Sequence, residues 1–157
     1  LDASEVNEVA KNVDFILCAV DMPKDEIRAL EEAYAKAEIP VISNNSANRH
    51  TLDVPMMIPE VNSDHAEIIA AQRKRLGTKK GFIAVKPNCS IQSYVPALTP
   101  LLDFEPEQVF VTTFQAISGA GKTFSPKSST TSFRISAAKR KRAKESLSRY
   151  GDILTAM

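Results

Sequence analysis

Cys89 lies in Lys86-Pro87-Asn88-Cys89-Ser90-Ile91-Gln92, directly after an apolar run and at the opening of a helix-like stretch. The first N–H groups of a helix are unpaired and carry partial positive charge, which favours a thiolate over a thiol. Asn88 and Ser90 can hold the polar turn around it. The placement admits two readings, a nucleophile or a small buried hydrophobe. The second cysteine, Cys18, sits inside Val13-Asp14-Phe15-Ile16-Leu17-Cys18-Ala19-Val20 and fits the latter. Two further stretches are polar enough to face a ligand. Asn44-Asn45-Ser46-Ala47-Asn48-Arg49 is either a site wall or a solvated Asn/Ser turn. Ser118-Gly119-Ala120-Gly121-Lys122 is suited to close backbone approach by a ligand. It is not a phosphate-binding P-loop, because Ala116 stands where the first glycine is required.

The elements that position these residues follow from the hydrophobic pattern. Ser4 to Lys11 reads as the end of a short amphipathic helix. Val13–Val20 is a nearly continuous apolar run, the pattern of a strand covered on both faces. Asp21 and Pro23 open a helix over Lys24–Ala37, with Ile27, Leu30, Ala33, Tyr34 and Ala37 at helical spacing. Pro40–Ser43 is a short second strand. Strand, helix and strand in about 30 residues make a βαβ unit and predict a parallel, doubly wound sheet. In such sheets ligands gather at the carboxyl ends of the strands, where the Asn44–Arg49 loop begins. Pro59–Asn62 turns the chain, Ser63–Leu76 reads as a helix with a basic end and a Gly77 stop, and Gly81–Val85 is the strand that delivers Cys89. Ser90–Leu102 is helical by pattern, with Pro96 and Pro100 predicting a kink or early break. Gln108–Ile117 reads as a long strand ending at the glycine-bearing loop.

At 157 residues and 43% hydrophobic content the chain has the size of one domain with a real core. Two cysteines at unrelated positions make neither a disulfide framework nor a metal-ligand spacing, which predicts a reducing cytoplasm. His50 and His65 are the only histidines, and no metal site is expected. No run approaches the roughly 18 apolar residues of a membrane span. The first residues carry neither an initiator methionine nor a signal-peptide pattern, so the chain is expected to begin inside a longer sequence. The net charge of +1 hides an asymmetry: residues 1–124 carry 12 basic and 17 acidic side chains, residues 125–157 carry 8 and 2.

Four segments together resemble the aspartate-semialdehyde dehydrogenase family, in the branch typical of archaea, fungi and some bacteria. They are Ser43-Asn44-Asn45-Ser46-Ala47, Val54-Pro55 through Pro59-Glu60-Val61-Asn62, Pro87-Asn88-Cys89-Ser90, and Thr113-Phe114-Gln115-Ala116-Ile117-Ser118-Gly119-Ala120-Gly121. The resemblance spans roughly residues 1–124. It implies an α/β fold: an incomplete Rossmann-like parallel sheet over 1–87, then the start of an α+β catalytic and dimerisation domain over 88–124. It also implies NADP-dependent interconversion of aspartyl 4-phosphate with aspartate 4-semialdehyde through a cysteine thioester. Cys89 would be the nucleophile, with Gln115 orienting the substrate beside it and Arg49 and Asn88 contacting substrate or phosphate. Ser43, Ser46, Ser118 and Gly119 would line the cofactor cleft. The implied partners are a small-molecule substrate and phosphate, with neither nucleic acid nor membrane, and a homo-oligomer in the full-length family.

The departures are equally specific. The family's dinucleotide-binding glycine loop falls before residue 1, and nothing matches its catalytic histidine or its substrate-carboxylate arginine. The truncated chain is therefore expected to be inactive alone and to fold poorly, because a parallel sheet without its first strands leaves an edge and one apolar face uncovered. Residues 125–157 form a basic tail unlike the family. Permitted codons for Pro126 to Lys144, read from the third base of each, can spell E-I-V-D-N-V-I-P-Y-I-S-G-E-E-E-K-S-E, which resembles the family's own continuation. The expectation is a reading-frame shift near Phe124 to Pro126. Two rival readings stand beside it: a sister enzyme such as malonyl-CoA reductase, and a non-catalytic protein with a basic binding arm.

Overall fold

The computed structural model describes residues 2–114 and 130–136, with side chains through Thr112. Its centre is a three-stranded parallel sheet of β1 (Ile16–Cys18), β2 (Val41–Ser43) and β3 (Ile83–Val85), in the order β1-β2-β3. The register aligns Ile16, Val41 and Ile83 in one row, Leu17, Ile42 and Ala84 in the next, and Cys18, Ser43 and Val85 in the third. Side chains alternate between faces along a strand. The first and third rows therefore share one face, and that face holds the core with Tyr34, Ala35, Val54 and Met56. The middle row lies on the other face and opens progressively, with Leu17 72%, Ile42 40% and Ala84 8% exposed. A strand covered on both faces was predicted around Leu17. The observed β1 is shorter and covered on one face only, since Leu17, at the β1 end of the middle row, is left exposed while Ala84 at the β3 end is covered.

The helix α1 (Val6–Ala10) precedes β1, and α2 (Lys24–Lys36) crosses from β1 to β2. Pro23 is the N-cap residue of α2, while Asp25 and Glu26 in the first turn and Lys36 in the last complement the helix dipole. The helix buries Ile27, Glu31, Tyr34 and Ala35 on one face. It ends through Glu38, whose φ of 67° reverses the chain. The Glu38 carboxylate accepts hydrogen bonds from the backbone N–H groups of Lys79, Lys80 and Gly81. Those three bonds pull its pKa down to about 2. Gly81 is required there by contact: a Cβ on it would lie 1.9 Å from the Ala35 carbonyl oxygen.

Between β2 and β3 the chain forms α3 (Pro59–Asn62), a 3₁₀ segment (Ser63–Ile68) and α4 (Ile69–Leu76). The predicted continuous helix over 63–76 thus opens on tighter winding, where Asn62 and His65 are both tied to the Met56 carbonyl. Gly77, at φ 73°, ends α4 by donating its N–H to the Arg73 carbonyl. Gln72, fully buried, closes the outer edge of β3. Its amide nitrogen donates to the Ile83 carbonyl at 2.9 Å and its amide oxygen accepts from the Ile83 N–H at 2.6 Å. Two residues on, Val85 pairs in parallel with Met56.

After β3 comes α5 (Cys89–Leu98), continued by a 3₁₀ segment (Thr99–Phe104), so the helix tightens where Pro96 and Pro100 predicted a break. An antiparallel pair follows, β4 (Gln108–Phe114) with β5 (Thr130–Ser136), registered from Gln108↔Ser136 to Phe114↔Thr130. The predicted extension of β4 to Ile117 lies outside the described residues. The parallel α/β unit is the architecture expected from the sequence, whereas β5 comes from the tail beyond residue 124, where no element was expected.

Candidate functional site

Because β1, β2 and β3 run parallel, their carboxyl ends share one edge of the sheet. The Asn44 N–H donates to the Cys18 carbonyl at 2.8 Å, and the Lys86 N–H donates to the Ser43 carbonyl at 3.0 Å. The ladder is thereby carried one residue past each strand, and it sets Asn44–Arg49 beside Lys86–Cys89.

Cys89 is the first residue of α5. Asn88 caps the helix: its backbone is extended (φ −58°, ψ 145°) and its Oδ1 accepts from the Ser90 N–H at 2.9 Å. A cap of this kind is worth about 1 kcal/mol. The Cys89 Sγ lies 3.5 Å from the same Asn88 oxygen and is exposed to solvent. The sulfur thus stands at the positive end of a ten-residue helix with an open approach. Cys18 is the opposite case. It is buried, and burial pushes its thiol above the ordinary range, with the negative charge of Glu31 adding to the rise.

Arg49 joins the two loops. Its Nε donates to the Lys86 carbonyl at 3.1 Å and one Nη to the Pro87 carbonyl at 3.4 Å. A guanidinium has five N–H donors, and among the described residues two of those of Arg49 are used. Burial pulls its pKa down, while the negative charge of Cys89 acts in the opposite sense. Both of its anchors immediately precede the Asn88 cap of Cys89. The arrangement brings together an exposed thiol, a cation, and polar groups along β2's carboxyl end.

Ser43 is almost fully buried, and its hydroxyl donates to Glu31 at 2.5 Å while accepting from the Asn45 N–H at 3.0 Å. It faces α2 rather than solvent. Ser46 is half-buried, and its hydroxyl makes no hydrogen bond among the described residues. Gln115, Ser118 and Gly119 lie outside the described residues. His50 is exposed, and the His65 Nδ1 is 3.1 Å from the Met56 carbonyl oxygen. Among the described residues no cluster of three or more His, Cys, Asp or Glu could hold a metal, and no helix is long and apolar enough to cross a membrane.

Sequence reasoning missed Glu31 and Arg28, which hold the 43–51 loop from behind, and the inward bond of Asn48, read there only as part of a polar loop. The Asn48 amide donates to Glu31 at 2.7 Å, and the Arg28 Nε donates to the Ala47 carbonyl at 2.8 Å. A signal was present. Glu31 stands four residues after Ile27 and three before Tyr34, inside the apolar stripe of α2, where a charge demands a partner.

Residues 1–69 match the NAD-binding domain of semialdehyde dehydrogenases. The aspartate-semialdehyde dehydrogenase of Archaeoglobus fulgidus is 42% identical over 111 residues, which cover 71% of this chain and 32% of that protein. The malonyl CoA reductase (NADP) of Metallosphaera sedula is 43% identical over 101 residues, 64% of this chain and 28% of that one. The crystal structure of Candida albicans aspartate semialdehyde dehydrogenase with NADP superposes with a TM-score of 0.56 at 32% identity, over 69% of this chain and 31% of that chain. The chain thus spans about a third of the length of the relatives it matches. The parallel sheet, the capped Cys89 and these matches agree: the chain is similar, as a segment, to aspartate-semialdehyde dehydrogenases.

Proposed function

We propose that this chain is the cofactor-side half and nucleophile-bearing turn of an NADP-dependent, phosphorylating aspartate-semialdehyde dehydrogenase of the cytoplasm. The observation that carries the reading is Cys89, an exposed thiol on the first residue of α5. It lies beside an arginine anchored on the two carbonyls that precede its cap. In this reading the Cys89 sulfur attacks the acyl carbon of aspartyl 4-phosphate and displaces phosphate, forming a thioester. Arg49 holds the departing phosphate, for which its planar fork is suited. Asn88 keeps the sulfur at the helix start, and Gln115 orients the substrate beside it.

The residues present fit a dinucleotide at the carboxyl edge of the sheet: Asn44 is exposed, and Ser46 presents a hydroxyl with no partner among the described residues. With Ser118 and Gly119 from the later loop, these groups would hold NADP, and the nicotinamide when bound supplies the hydride that reduces the thioester. The buried Ser43 serves this edge by fixing the loop rather than by reaching outward. The proposed division is 1–87 for cofactor, 88–124 for the opening of the catalytic domain, and 125–157 for a tail out of frame. The corresponding nucleotide sequence decides that last point. The full-length enzyme is expected to be a homo-oligomer.

A longer polypeptide of the relatives' length, expressed with this segment, is expected to reduce NADP in the presence of aspartate 4-semialdehyde and phosphate. Cys89→Ser should cut kcat by about 10⁴-fold or more. Malonyl-CoA is the second substrate to assay, because the malonyl CoA reductase matches at similar identity. Turnover of malonyl-CoA alone would move the reading to that sister activity, and full activity of Cys89→Ser would overturn both.

A further inference from the structure

We propose that Glu31 is a positioning residue for the Cys89 site, holding the Ser43–Thr51 loop so that Arg49 stays seated beside the sulfur. The inference rests on the reading of Cys89 and Arg49 given above. Glu31 is 1% exposed, in the middle of the apolar stripe of α2, where a carboxylate is strongly disfavoured unless donors meet it. Each of its oxygens meets one. Oε1 accepts from the Ser43 hydroxyl at 2.5 Å and Oε2 from the Asn48 amide at 2.7 Å.

Both donors pass the constraint into the loop. The Ser43 Oγ accepts from the Asn45 N–H at 3.0 Å, and the Asn48 Oδ1 accepts from the Thr51 hydroxyl at 3.0 Å. Arg28, one turn earlier on α2, adds its bond to the Ala47 carbonyl. Arg49 therefore stands between two residues of one network, Asn48 and Thr51. Its own side chain reaches forward to the Lys86 and Pro87 carbonyls, immediately before the cap of Cys89. The chain of contacts runs unbroken from a buried carboxylate to the nucleophile's turn. An apolar residue at position 31 would fill the stripe, but it would leave the Ser43 hydroxyl and Asn48 amide without their acceptor. Glutamine can replace the carboxylate in this geometry: its oxygen accepts from Asn48, and its NH₂ donates to a Ser43 hydroxyl turned around.

The test is a double-mutant cycle on the 157-residue chain, reading the rate of Cys89 alkylation by iodoacetamide at pH 7.5 through peptide mass spectrometry. Circular dichroism and amide exchange confirm the fold of each variant. Arg49→Ala and Glu31→Ala are each expected to slow Cys89 by about five- to tenfold, since a lost charge partner is worth up to roughly one decade. The double variant should be no slower than Arg49→Ala, and Glu31→Gln should return to near the parent rate. If Glu31→Ala does not fold, Asn48→Ala cuts the same link from the loop side and takes its place in the cycle. Additive effects, or an unchanged Cys89 rate in a folded Glu31→Ala, would overturn the positioning role and leave the nucleophile reading standing. An unchanged rate in Arg49→Ala would remove the assignment of Arg49 together with the role of Glu31.

Discussion

Cys18 and Cys89 both stand at the carboxyl edge of the same parallel sheet, one ending β1 and the other four residues past the end of β3. They differ in almost everything that governs a thiol. Cys18 is 6% exposed, faces the core with Val41 and Tyr34, and touches the Asn45 amide at 3.4 Å, with the Glu31 carboxylate nearby. Cys89 is exposed, opens a helix, and has the Asn88 cap and the Arg49 cation for neighbours. Neither residue type nor place on the sheet separates them. What separates them is the element that holds them: the core face of a strand for one, the first turn of a helix for the other.

The contrast predicts its largest effect in simple reactivity. Iodoacetamide at pH 7.5 should modify Cys89 at least about 100-fold faster than Cys18, because a buried thiol must wait for local opening. Equal rates from peptide mapping would erase the distinction on which the proposed function stands. The next effect belongs to the cap. Asn88→Ala should destabilise α5 by about 1 kcal/mol and slow Cys89 by a few-fold, with Cys18 unaffected. A change in Cys18 alone would show that the cap acts on the whole sheet.

The smallest effect is in stability. Cys18→Ala should cost about 1 kcal/mol for the lost sulfur, whereas Cys89→Ala should stay within about 0.5 kcal/mol of the parent in urea unfolding. Alkaline titration sharpens the same difference. Burial raises the Cys18 thiol above its ordinary value of 9.0, so the folded state holds that proton more tightly than the unfolded one. Its contribution is complete below pH 9 and falls as pH rises through the folded value. The parent should lose stability in that window and Cys18→Ala should lose less. Glu38 is the acid counterpart: its carboxyl is pulled from 4.5 to about 2, so its contribution holds above pH 4.5 and fades as pH falls toward 2.

Much of this was legible in the chain. The apolar runs before Asp21, around Val41 and before Lys86 announced three parallel strands, and the Asn88-Cys89-Ser90 turn announced the capped helix. The helix stop at Gly77 and the break after Pro96 were likewise local signals with local causes. Less legible was whatever depends on contacts between distant segments. The single-sided burial of β1 could not be read from Val13–Val20, because an apolar run reports hydrophobicity and not which neighbour covers it. Nor could the 3₁₀ opening of the 63–76 helix, which goes with ties from Asn62 and His65 back to Met56. In the site, Cys89 and its Asn88 cap were visible as a motif. The support from Glu31, Asn48 and Arg28 was not, since those residues join the loop only through the tertiary fold.

Gln72 and Asn62 have a consequence for how this sheet can grow. Each spends its side-chain amide imitating a strand: Gln72 fills both backbone positions of Ile83. Asn62 takes the Ile58 N–H and the Met56 carbonyl. On the β3 side the edge is therefore met by the Gln72 side chain at Ile83 and by the backbone around Met56 at Val85, with Asn62 behind Met56. On the β1 side the described residues include no such terminator. Growth of this sheet is polar, like that of a filament with one capped end. Among the described residues, the edge of the sheet with no strand beside it is that of Ile16–Cys18.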